Sequence, residues 1–180
     1  MENDKRTGLS KTKLKNSFWK SRQELVRTEV IPYQLKALKD GVDGAEPSRC
    51  MENFRKAANA LARRRAGKNT PVYPTDKWHY TDENAQPGAF KGWVFQDSDL
   101  YKWIEAASYS LGNHPDAKLE SAVDEAIRLV CSAAEEDGYI DTLYTTNNPA
   151  ARFENLRDFH ELYCFGHLAE AACAHFSITG

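Results

Sequence analysis

Residues 157 to 167, RDFHELYCFGH, place two imidazoles, a carboxylate and a thiol in a stretch whose neighbours are mostly apolar. Read as helix, His160, Cys164, His167 and Ala171 are spaced i, i+4, i+7 and i+11 and fall in one narrow arc. Phe159, Leu162, Phe165, Ala169, Cys173 and Phe176 cover the opposite side. Such a polar stripe must face groups that satisfy it, because a buried imidazole without a partner costs about 1 to 3 kcal/mol. Three chemistries fit: hydrogen bonds to neighbouring helices, the wall of a ligand cavity, or a metal site through His160, Cys164 and His167. Glu161 lies beside the stripe, where it could orient a histidine or touch a polyol.

Other candidates carry less. Asp97 and Asp99 in FQDSD could be paired carboxylates for acid/base work, but their place at a helix start favours capping. ARRRAGK, residues 62 to 68, is the one basic cluster, and a solvated helix C-terminus explains it better than phosphate or RNA binding. The chain contains no GxGxxG, P-loop, GxSxG or HExxH motif, and HELYCFGH shares only its first two letters with the last.

The elements that must position these groups are helical. Trp19, Val26, Val30, Tyr33 and Ala37 predict a helix from Ser17 to about Lys39, with Pro32 expected to kink or break it. A second helix is expected from about Arg49 to Arg65, burying Met51, Phe54, Ala58 and Leu61. Residues 66 to 92 hold Pro71, Pro74, Pro87, Gly88 and Gly92 together with Tyr73, Trp78, His79 and Tyr80, which marks a long aromatic-bearing loop of functional type. Leu100, Trp103, Ile104, Ala107 and Leu111 give the third helix, begun by Asp97 or Ser98 and ended by Gly112. Asp116 should cap a fourth, with Leu119, Val123, Ala126, Ile127, Val130 and Ala134 inward and Asp137 and Gly138 ending it. YIDTLYTT reads as a short extended piece, and a fifth helix should run from about Asn155 to Ser177. The sum is an all-α chain of successive helical hairpins, behind a mobile lysine-rich tail over residues 1 to 16.

Composition narrows the partner. With 24 Lys and Arg against 26 Asp and Glu, a net charge of -2 provides no field for nucleic acid or a membrane surface. No run reaches the roughly 20 apolar residues of a membrane span, and the N-terminus lacks the apolar core of a signal peptide. Four scattered cysteines, Cys50, Cys131, Cys164 and Cys173, without a CxxC pair fit a reducing, cytoplasmic setting.

Five segments appear in the order FWKSRQELVRTEVIPYQ, ENFRKAA, WVFQDSDLYKWIEAASYSL, DGYIDT and LRDFHELYCFGHLAEAACAHFSITG. Over about residues 17 to 180 the chain thereby resembles the N-terminal catalytic region of β-L-arabinofuranosidases, glycoside hydrolase family 127. The resemblance implies part of an (α/α)6 barrel, an incomplete toroid whose inner helices line a sugar pocket. It also implies retaining hydrolysis of terminal L-arabinofuranosides, by a cysteine nucleophile held on zinc and a glutamate acid/base. The first histidine of the HELY-type segment contacts sugar in that family and maps to His160, with His167 and Glu161 as further candidates for the same cavity. Such a barrel needs about 300 residues, and the family's zinc ligands, nucleophile and acid/base lie beyond the matched region. The loop from 62 to 92 is longer than the family's usual one. The expectation is therefore a chain without catalytic or metal-binding residues of its own, inactive alone, with an open apolar face that favours self-association. The alternative is a non-catalytic helical module that binds a protein partner.

Overall fold

The computed structural model describes residues 13–180; the rest of the expected N-terminal tail lies outside the described residues. The chain forms α1 (Ser17–Leu25), a π-helical turn (Val26–Val30), α2 (Ile31–Leu38), α3 (Cys50–Arg65), α4 (Asp97–Asn113), α5 (Ala117–Ser132), α6 (Thr142–Asn147), a 3-10 turn (Pro149–Ala151) and α7 (Glu161–Thr179). Its only sheet among the described residues pairs β1 (His79–Tyr80) antiparallel to β2 (Gly92–Trp93). The all-α reading thus holds. No helix among the described residues is long and apolar enough to cross a membrane.

The hub is α4. Leu100, Trp103, Ile104, Ala107 and Leu111 are all buried, as their spacing requires, and α2, α3, α5 and α7 pack around them. Gly112 does not end this helix but lies within it, where a Cβ would stand 2.4 Å from Ile178 Cδ1, so the missing side chain lets α7 approach. Asp116 caps α5 as expected, its carboxylate accepting from the Lys118 and Leu119 N–H groups. Beside this main core lies a second one, built from Tyr80, Phe90, Val94, Leu143, Tyr144, Ala151 and Phe159.

The long loop belongs to that second core. Buried Asn53 and Asn147 take the place of sheet partners: Asn53 exchanges hydrogen bonds with the Lys91 N–H and carbonyl, and Asn147 accepts from the Phe90 N–H while donating to the Pro74 carbonyl. Each satisfies backbone groups that the loop would otherwise bury unpaired.

Several local expectations are corrected. Pro32 does not break the first helix, because the π-helical turn just before it widens the ladder where the proline ring would meet the carbonyl four residues back. The apolar residues Trp19, Val26, Val30 and Tyr33 are exposed, and Ile31 and Leu38 make the inward contacts instead. YIDTLYTT is helical from Thr142, with Asp141 as its cap accepting from the Tyr144 N–H. The last helix starts at Glu161 and not near Asn155. Asp97 does not cap α4: its carboxylate reaches across to accept from the Thr142 N–H at 2.7 Å and the Thr142 hydroxyl at 2.5 Å. The starts of α4 and α6 are thereby tied together in the core. ARRRAGK closes α3 as a helix end should, its three arginines donating to the carbonyls of Asn69, Thr145 and Ala134.

Candidate functional site

Because α7 begins at Glu161, His160 stands just ahead of the helix, with φ 60 and ψ 20. That left-handed backbone is costly for a residue with a Cβ. Two hydrogen bonds hold it. The Trp78 indole donates to the Asp158 carbonyl at 2.6 Å, and His160 Nδ1 lies 2.8 Å from the same oxygen. A carbonyl only accepts, so Nδ1 carries a hydrogen and Nε2 is the nitrogen left to face a ligand.

Aromatic rings surround that imidazole. Trp78, Phe95 and Tyr163 lie 5.4, 5.5 and 5.6 Å from it, centroid to centroid. Trp93 stacks on Phe95 at 5.8 Å and on His79 at 4.1 Å. The strand register creates the second stack, since His79 pairs with Trp93. Lys102 reaches in from α4 and donates to the Tyr163 hydroxyl at 2.7 Å and the Ser98 hydroxyl at 3.1 Å. Lys102 also lines a cleft of about 460 Å³ with Gln34, Gln96 and Asp99. Trp78 is 48% exposed, so part of its ring remains open to a ligand, whereas Trp93 is engaged by the His79 and Phe95 stacks.

The other sequence-derived candidates are placed differently. His167 is two turns along α7, edge-on to Tyr163 at 4.6 Å, with Nδ1 3.0 Å from Glu170 Oε2. Glu161 is buried, and both its oxygens are taken: Tyr139 donates its hydroxyl at 2.5 Å and the Phe153 N–H lies 3.0 and 3.2 Å away. Its carboxylate draws in the irregular segment that delivers His160. Cys164 is buried under α4, so His160, Cys164 and His167 do not form a metal group. The stripe that looked polar on paper is the packed face, and Leu162, Phe165 and Phe176 on the other side are 58%, 62% and 71% exposed. A wheel ranks faces by polarity, but small residues such as Cys164, Ala171 and Ala174 are what let a helix lie close to its neighbour. Spacing along α7 could not reveal Trp93, Phe95 or Lys102; the only signal for this recess was the density of aromatics between residues 66 and 95.

The chemistry available is recognition. Burial pushes the thiols of Cys50 and Cys164 up, leaving neither a ready nucleophile. No cysteine among the described residues joins a potential metal cluster, so the cysteines present do not fit a cysteine-ligated zinc centre. Asp97, Asp141 and Glu161 are buried and engaged within the protein. An acceptor nitrogen among indole, phenyl and phenol rings instead suits a hydroxylated ring with apolar C–H faces.

Known proteins resemble this chain over nearly its whole length. A solved β-L-arabinofuranosidase of family GH127 from Geobacillus stearothermophilus T6 is 45% identical, with a TM-score of 0.76 over 93% of this chain and 22% of its own. A second GH127 β-arabinofuranosidase, BT3674, is 30% identical, with a TM-score of 0.70 over 96% of this chain and 24% of its own. The non-reducing end β-L-arabinofuranosidase of Bifidobacterium longum subsp. longum is 37% identical over 169 residues, 91% of this chain and 23% of that protein. The chain therefore spans about a quarter of the length of the relatives it matches, as part of their helical barrel. Residues 11–180 match the family model for the β-L-arabinofuranosidase GH127 catalytic domain, and the chain belongs to that glycoside hydrolase family.

Proposed function

We propose that this chain supplies the sugar-positioning wall of a β-L-arabinofuranosidase site, with His160 Nε2 accepting a hydroxyl of a terminal L-arabinofuranoside and the Trp78 and Phe95 rings packing against its C–H faces. His160 carries the proposal: a histidine held in left-handed backbone, with its tautomer fixed by the Asp158 carbonyl, inside an aromatic recess. His167 lies farther along the same face as a weaker contact, and Glu161 acts by positioning the segment before His160. The zinc, its cysteine nucleophile and the acid/base glutamate belong to the remainder of the family's catalytic domain, so these 180 residues by themselves hydrolyse no arabinoside.

The test is His160→Ala in a protein that joins this chain to the remainder of a family 127 catalytic domain, assayed on an aryl β-L-arabinofuranoside. Loss of one well-placed hydrogen bond is expected to lower kcat/KM by about 10- to 100-fold. A change within twofold would refute the assignment.

The exposed face of α7 supports a second reading, in which the chain presents this surface to a helical partner. In the intact catalytic domain that partner is further barrel; for the chain alone it is a second copy. Light scattering during size-exclusion chromatography should show a dimer or larger species that dilution dissociates, and Phe165→Ser with Phe176→Ser should shift it to monomer. A monomer at all concentrations would dismiss self-association.

A further inference from the structure

Where α4 and α7 run side by side, Glu105 of α4 meets His167 and Glu170 of α7, and one ligand atom of each lies within 4.8 Å of the other two. His167 and Glu170 are three residues apart and so share a helix face. Two features of this group stand out. First, His167 Nδ1 is shut off from water yet has no hydrogen-bond partner: the Glu170 oxygen is 3.0 Å away but out of line with the ring N–H direction. Second, two carboxylates converge on one imidazole, and among the described residues no lysine or arginine nitrogen bridges either of them.

We infer that Glu105, His167 and Glu170 form a binding site for a divalent transition-metal ion that clamps α4 to α7. An ion between them takes the unused Nδ1 lone pair and neutralises both carboxylates. One imidazole with two carboxylates suits zinc, cobalt or nickel, whereas a nitrogen ligand disfavours calcium and magnesium. Ligand atoms around tetrahedral zinc stand about 3.3 Å apart, so the three ligand atoms, now within 4.8 Å of one another, must draw together by at most about 1.5 Å. Glu170 is exposed and free to do so, and water completes the coordination on that open side. The site contains no thiol. It lies two turns from His160 on the helix that His160 precedes, so an ion here would stiffen the element that carries the recess.

The experiment titrates Co²⁺ into the EDTA-stripped 180-residue chain after alkylation of its exposed thiols at Cys131 and Cys173, reading d–d absorption and the thermal midpoint. One Co²⁺ per chain is expected, displaced by Zn²⁺, with a rise in midpoint on binding. Affinity should fall at least tenfold in Glu105→Gln and in His167→Gln, and stay within twofold in His114→Gln. Glu105→Gln keeps the side-chain shape at a half-buried position, and far-UV circular dichroism checks that each variant is folded. Absence of binding below 1 mM, or equal binding by wild type and folded Glu105→Gln, would overturn the site.

Discussion

Replacing Asp97 with alanine is expected to lower the stability of the fold by about 3 kcal/mol. The carboxylate is buried and accepts both the N–H and the hydroxyl of Thr142. Alanine leaves these two donors in the core without an acceptor and separates the starts of α4 and α6. The pH dependence gives a second reading of the same contact. Burial pushes Asp97 up to about 6, and Asp141, also buried, is raised as well. The groups facing Asp97 are Thr142, Tyr101, Asp141, Asp99 and the two buried thiols, none of them a cation. A carboxyl raised on folding binds more protons in the native state than in the unfolded chain between about pH 4 and 6. Its contribution to stability is therefore largest at low pH and is lost as pH rises through 6. Urea unfolding from pH 4 to 7 should show the wild type losing ground against Asp97→Asn, which cannot titrate. Parallel profiles for the two proteins would contradict this account of Asp97.

Trp103→Ala should do more damage still, about 3 to 5 kcal/mol. Trp103 is 2% exposed at the middle of α4, and its indole donates to the Ile31 carbonyl at 3.0 Å, joining α4 to the start of α2. Truncation opens a cavity in the main core and removes that link. For a chain of this size the thermal midpoint should drop by about 10 °C or more. Trp19→Ala is the comparison: Trp19 is exposed on α1, so its loss should change stability by less than 1 kcal/mol. Equal effects from the two substitutions would mean that α4 is not the hub described here.

The helical plan was legible because it is written locally. The 3.6 period of Leu100, Trp103, Ile104, Ala107 and Leu111, and the cap at Asp116, involve residues within a few turns of one another. What failed depended on distant partners. YIDTLYTT is rich in β-branched and aromatic residues and reads as extended, but Asp141 capping and the Asp97 contact, 45 residues away in sequence, make it helical. The start of α7 slipped by six residues because Glu161 holds Phe153, and the backbone turns left-handed at His160 before the helix can begin. His160 itself could be singled out from its motif. Its aromatic surroundings could not, since Trp93 reaches the recess only through pairing with His79 across the excursion of residues 81–91.

The left-handed turn at His160 also bears on attempts to engineer this chain. Glycine adopts φ 60 freely, so His160→Gly should relieve about 1 kcal/mol of backbone strain. The same change removes the only imidazole among the rings of the recess that is hydrogen-bonded to the Asp158 carbonyl. Backbone ease and recognition thus pull in opposite directions at one position. A change that eases the backbone there takes with it the ring that Trp78, Phe95 and Tyr163 enclose, and so empties the recess.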